Sequence, residues 1–111
     1  MKLVAAIIKP FKLDDVRRAI ADLGLQGLTV TEVLGLGQHS QREFYRAAEY
    51  AIDVAPRTKI EVAVDDAVLE PVIEAIGNVA RTGQRGDGKI FVLDLEQVVR
   101  IRTSEIGAAA I

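Results

Sequence analysis

An α+β fold, with two β-α-β units merged into one sheet, is predicted by three features of this 111-residue chain. Short β-rich apolar runs alternate with two stretches of helical period. Each helical stretch is introduced by an acidic pair, Asp14-Asp15 or Asp65-Asp66. The two halves therefore echo each other weakly as strand, Asp-Asp, amphipathic helix, glycine, loop and strand. Units of this size suit a split β-α-β domain of the ferredoxin-like kind, with two helices on one face of an antiparallel sheet and a short C-terminal strand added.

Leu3 to Ile8 is a continuous apolar run ending at Lys9-Pro10, as expected of a strand buried on both faces. Pro10 stops it. Lys12-Leu13-Asp14-Asp15 opens a helix whose first turn Asp14 or Asp15 can cap. Leu13, Val16, Ile20 and Leu23 recur at helical spacing, and Gly24 closes the element. Leu28 to Leu36, with Thr29, Val30, Thr31 and Val33, reads as the second strand.

Gly37 to Pro56 breaks the rhythm: polar first, then Phe44, Tyr45, Tyr50 and Ile52 without a clean period. Arg42 to Tyr50 has some helical character. A connection of about 20 residues in so small a domain is uncommon and often functional. Thr58 to Val64 alternates as a strand. Leu69, Val72, Ile73, Ile76 and Val79 or Ala80 then form a helical stripe, in which Pro71 is tolerable only near the first turn. Lys89 to Leu95 is the next strand, Val98 to Arg102 a shorter last one, and a loose small-residue tail follows. The strands read as apolar on both faces, so the sheet face away from the helices needs a cover, and oligomerisation is the simplest one.

Composition narrows the function. Half the residues are hydrophobic but only 5% are aromatic, so aliphatic side chains must build one core, in a single domain over 1–111. A net charge of −2 with both signs interspersed argues against nucleic acid as the main partner. The absence of cysteine excludes disulfides and thiolate metal sites. No apolar run reaches the length of a membrane span and no signal-peptide pattern opens the chain, so a soluble, cytoplasmic protein without membrane insertion is expected.

Gly83-Gln-Arg-Gly-Asp-Gly-Lys89 crowds three glycines and a lysine into seven positions before a β-type run. Such a loop can turn backbone N–H groups towards an anion, with Lys89 adding a point charge. The order is loop then strand, unlike a Walker loop. Read by itself, a glycine turn before a strand is usually just a tight turn.

The chain resembles the PII signal-transduction proteins over essentially its whole length. The resemblance is carried by Ile7-Ile8-Lys9-Pro10-Phe11-Lys12-Leu13-Asp14-Asp15-Val16, by Gly27-Leu28-Thr29-Val30-Thr31-Glu32-Val33 and by Tyr45-Arg46-Ala47-Ala48-Glu49-Tyr50. Thr82 to Val92 and Val99-Arg100-Ile101-Arg102-Thr103 complete it. It implies a homotrimer whose sheets line a central axis, and ATP or ADP in the clefts between subunits. It further implies a long flexible loop, here about 37–56, that reports ligand state to target enzymes, signalling proteins or a membrane transporter in nitrogen metabolism. By position, Gly86, Asp87, Gly88 and Lys89 would hold the nucleotide phosphates, with Gly37 and Gln38 beside them. Thr29 and the backbone near Ala63 would meet ribose and adenine. Arg100 and Arg102, alternating on a strand, would project together at the phosphates as two guanidinium forks. Without the resemblance, Arg100 and Arg102 read as surface charges and Thr29 as a β residue.

The departures gather in the long loop. Where the family runs Gly-Arg-Gln-Lys-Gly, this chain has Gly37-Gln38-His39-Ser40-Gln41 and is one residue shorter. Gln38 lacks the charge that contacts the terminal phosphate of ATP. The family's Mg²⁺-holding glutamine is replaced by His39, the only histidine, which can ligate a metal but suits a hard cation poorly. Arg57 stands where the family's lysine pairs with a 2-oxoglutarate carboxylate. Ala47 replaces a glycine, and Tyr50 matches a uridylylation site or serves as an aromatic anchor. The changes spare most of the nucleotide motifs. They predict a PII-type regulator, or a divergent adenine-nucleotide sensor whose second effector differs from 2-oxoglutarate. A catalytic role is disfavoured, since no Ser/His/Asp cluster or acid–base pair is evident from spacing. RNA binding on the sheet lacks the stacking aromatics.

Overall fold

The computed structural model describes residues 1–36 and 54–111 with their side chains, and the backbone of 43–45 and 50–52. Strands β1 (Lys2–Ile8), β2 (Thr29–Leu36), β3 (Glu43–Tyr45), β4 (Tyr50–Ile52), β5 (Val54–Val64) and β6 (Lys89–Asp94) are joined by helices α1 (Leu13–Asp22) and α2 (Leu69–Ala80). The main sheet has the order β2-β5-β1-β6, and its pairings are all antiparallel. This is the ferredoxin-like arrangement, with both helices on one face.

Pleating decides what each strand buries. Val4 lies opposite Val62 on one side and Val92 on the other, and Ala6 opposite Ile60 and Ile90. Val4, Ala6 and Ile8 therefore point with Ile60, Val62 and Val64 towards the helices, where they meet Val16 and Ile20 of α1 and Val72, Ile76 and Ala80 of α2. These side chains form one aliphatic core. The opposite face carries Leu3, Ala5 and Ile7 beside Phe91 and Leu93, and the last two are about half exposed, at 47% and 50%. Of that row only Ala5 is buried within the single chain.

Local chemistry sets the helix ends. Gly24, at φ +83°, lets its N–H reach the Ala21 carbonyl at 2.9 Å while Leu25 N–H reaches back to Ile20, a Schellman closure. Neither Asp14 nor Asp15 caps α1, contrary to the sequence expectation. A 3₁₀ turn over Pro10–Lys12 leads into the helix, Lys12 takes the N-cap position, and both aspartates fall inside the first turn. There they complement the helix dipole instead. Pro71 occupies the third position of α2, where an N–H would have no acceptor within the helix.

Three further expectations change. Strand β5 starts at Val54, four residues before Thr58, because Leu36, Gly35 and Leu34 pair with Val54, Ala55 and Pro56. Between β2 and β5 the described backbone, 43–45 and 50–52, is an antiparallel strand pair, Glu43↔Ile52 to Tyr45↔Tyr50, and the rest of the Arg42 to Tyr50 stretch lies outside the described residues. The expected strand Val98–Arg102 shrinks to one bridge, Val99↔Ile106, around a turn at 101–103. Arg100 N–H bonds to Glu105 O at 2.9 Å, and Ser104 N–H bonds to Arg100 O at 2.8 Å. The segment folds back on itself because the Thr103 hydroxyl donates to Glu105 Oε1 and accepts from Glu105 N–H, closing the turn locally.

Ile60 is fully buried at the centre of this core. Ile60→Ala is expected to cost about 2–5 kcal/mol, read as a lower urea midpoint with an unchanged m-value.

Candidate functional site

The glycine loop is drawn together by a carboxylate. Asp87 Oδ2 accepts from Thr82 N–H at 2.9 Å and Gly83 N–H at 3.0 Å, while the Thr82 hydroxyl donates to Oδ1. Lys9 Nζ completes the cluster, 3.2 Å from Asp87 Oδ1 and donating to Thr82 Oγ1 at 3.1 Å. The Thr82 hydroxyl bond, backed by the two N–H groups and Lys9, holds the Asp87 carboxyl far below the usual carboxylate range. Asp87 is thus an organiser of the loop, its charge spent on Lys9 and the backbone. Lys9 and Thr82 were quoted in the sequence motifs without a role. Their only signal was position, one at the end of a strand before a proline and the other before the first glycine.

Gly88 ties the loop to the sheet. Its φ is +102°, and a Cβ there would overlap the Ile7 carbonyl oxygen and stand 2.7 Å from the carbonyl carbon. No side chain fits. Gly86, at φ +86°, faces Arg57: a Cβ would collide with Nη2 and lie 3.5 Å from Cζ. The loop borders an open cavity of about 680 Å³ that includes Ile7, Gly35, Arg57, Gly86, Gly88 and Lys89. The structure therefore brings Gly86, Asp87, Gly88, Lys89 and Arg57 together.

Thr29 and Ala63 lie elsewhere, in a groove of about 840 Å³ at the other end of the sheet, with Gly27, Glu61 and Arg100. Arg100 Nη1 is 3.0 Å from Glu105 Oε1, and Nη2 donates to the Ile111 carbonyl at 3.4 Å. The Thr103 hydroxyl and the Arg100 charge lower the Glu105 pKa. Arg102 sits in the exposed 101–103 turn, so the two arginines do not share one face of a strand. Arg100 joins Thr29 and Ala63, and within one chain neither arginine lines the glycine-loop cavity.

Gly37, Gln38 and His39 lie outside the described residues, as does the side chain of Tyr50. Among the described residues, no group of three or more His, Cys, Asp or Glu side chains is placed to hold a metal ion. Among them too, no helix is long and apolar enough to cross a membrane.

Two substitutions test the loop. Gly88→Ala is expected to displace the loop from Ile7, read as loss of amide-exchange protection at Lys89 to Phe91. Asp87→Asn bears on pH. A carboxylate whose pKa is lowered by folding stabilises above its unfolded value, near 3.8, and loses that contribution as pH falls. The stability gap between the parent protein and Asp87→Asn is therefore expected to be full at neutral pH and to narrow steadily below about pH 4, as followed by urea unfolding.

A family model described as Nitrogen regulatory protein P-II matches residues 1–105. Nitrogen regulatory protein P-II of Rhizobium meliloti is 56% identical over 112 aligned positions, covering all of both chains. The P-II protein of Rhodospirillum rubrum and GlnK of Escherichia coli are each 54% identical, again over the full length of both chains. By this match along its whole length, the chain belongs to the P-II family of nitrogen regulatory signalling proteins, which are regulators and not enzymes.

Proposed function

We propose that this chain senses adenine nucleotides at sites formed between copies of itself and passes the result to target proteins of nitrogen metabolism through the segment at about 37–56. The observation that carries the reading is the division of the predicted site within one chain. The glycine loop with Arg57 and Lys89 borders one cavity, and Thr29, Ala63 and Arg100 border another at the far end of the sheet. Each is half of what a nucleotide needs. The first offers a phosphate cradle and cations. The second offers backbone and hydroxyl groups at Thr29 and Ala63 for a base and ribose, with a guanidinium beside them.

A head-to-tail contact between unlike surfaces closes into a ring, and such a ring joins the first half-site of one copy to the second half of the next. A homotrimer with its sheets turned inward also covers Leu3, Phe91 and Leu93. On entering that cleft the phosphates compete with Glu105 for Arg100, so the 101–105 turn is a natural place for ligand state to be felt. Adenine-nucleotide binding as a family trait supports the same assignment. ATP and ADP then bias the signalling segment only as far as they bind its arrangements differently.

Gln38, His39 and Arg57 favour a second effector other than 2-oxoglutarate, with Mg²⁺ entering, if at all, on the nucleotide phosphates.

Sedimentation is expected to give three copies per particle. Calorimetry is expected to show ATP and ADP competing for one class of site. Lys89→Ala and Arg100→Ala should each weaken binding about ten- to hundred-fold. Co-refolded mixtures of the two variants should regain a fraction of tight sites, since some clefts then receive both native residues. No recovery would place Lys89 and Arg100 at separate sites and sink the shared-cleft reading. Titrating 2-oxoglutarate against the Mg-ATP complex separates the effectors: ordinary 2-oxoglutarate binding would overturn the altered-effector part alone.

A further inference from the structure

Arg57 occupies a place in the glycine-loop cavity that its sequence position alone does not explain. Resting on the nucleotide reading above, we propose that Arg57 distinguishes a nucleoside triphosphate from a diphosphate by gripping the terminal phosphate.

The strand register sets its position. Ile60 points to the helices, so Lys59 and Arg57 point to the opposite face of the sheet. There Lys59, Ile7 and Lys89 form one row, and Val33 and Arg57 form the next row outward. Successive rows on one face of an antiparallel strand are about 7 Å apart. Lys89 stands at the base of the loop on the edge strand β6, and Arg57 on β5 lies one row further towards the ends of the strands. A phosphate chain that enters at Lys89 and leaves the loop at Gly86 meets the Arg57 guanidinium last.

The guanidinium is also fitted to the loop. A Cβ on Gly86 would collide with Arg57 Nη2, so the missing side chain at position 86 makes room for it. Nη1 donates to the Pro56 carbonyl at 2.8 Å, which fixes the plane of the fork. The described carboxylate on this cavity, Asp87, is turned back to Lys9, Thr82 and Gly83. A guanidinium fork bonds two oxygens of one phosphate, which a lysine at this place cannot do. A diphosphate that ends one group short leaves the fork empty.

Calorimetric titration of Mg-ATP and of Mg-ADP into the unaltered protein, Arg57→Gln and Arg57→Lys tests the assignment. Arg57→Gln is expected to weaken ATP about ten- to hundred-fold and to leave ADP close to its original affinity. Arg57→Lys, which keeps the charge and loses the fork, should fall between. Unfolding of the ligand-free variants shows whether the fold is kept, and if Arg57→Gln is destabilised, Arg57→Lys carries the comparison. Equal losses for ATP and ADP, or no loss for either, would overturn the assignment and leave the nucleotide reading standing. An unaltered protein that binds neither nucleotide overturns both.

Discussion

The backbone at Gly88 packs against the Ile7 carbonyl with no space for a Cβ, and this approach governs the candidate site. It is possible only because residue 88 has no side chain and can hold a positive φ. Once it is made, Lys89 begins β6 opposite Ile7, and the loop before it sits over the end of β1. Lys9, one residue past β1, then reaches Asp87 and Thr82. Sheet, loop and charge cluster are thus one mechanical unit. The loop is preorganised by the same strand that forms the centre of the sheet.

Charge is distributed around this unit with a division of labour. Asp87 lies closest to the glycines, yet it is consumed by Lys9, the Thr82 hydroxyl and two backbone N–H groups. Among the described residues, that leaves Arg57 and Lys89 to determine the sign of the cavity. At the far end of the sheet Arg100 is held by Glu105 and the Ile111 carbonyl. One end is a fixed cationic cradle, and the other holds a cation that must exchange partners. A ligand spanning both would stiffen the first little and rearrange the second, which suits a regulator better than a catalyst.

The two sheet faces have different consequences. The helix-covered face is closed by Val4, Ile60, Val62, Ile76 and their neighbours. The other combines aliphatic and aromatic groups with Lys59, Glu61 and Lys89, and Lys59 pairs with Glu61 at 3.6 Å. An apolar surface whose Lys59 and Glu61 charges are already matched is compatible with burial against identical copies. The proposed contact between copies would cover this face and join the two halves of the divided site.

Much of this was legible in the residues. Helical and strand periodicity marked both helices and β5, because burial on one side imposes periods of two or 3.6 whatever the distant partners, and continuous apolar or β-rich runs marked the other strands of the main sheet. Gly24, Gly86 and Gly88 announced backbone conformations that side chains avoid. Alternation at Arg100 and Arg102 misled, since Thr103 and Glu105 close a local turn whose hydrogen bonds outweigh a weak strand pattern. The early start of β5 was hidden for another reason: pairing with Leu36 and Gly35 is a long-range contact that leaves no local period. The sequence by itself determined the element types, the apolar faces and the glycine positions, since these follow from each residue's own conformational and hydrophobic preferences. Only the tertiary structure decided that Asp87 would pair with Lys9, that Arg57 would lie against Gly86, and that Thr29 and Arg100 would stand apart from Lys89. Those outcomes depend on strand register and distances across the sheet, which no single stretch of the chain encodes.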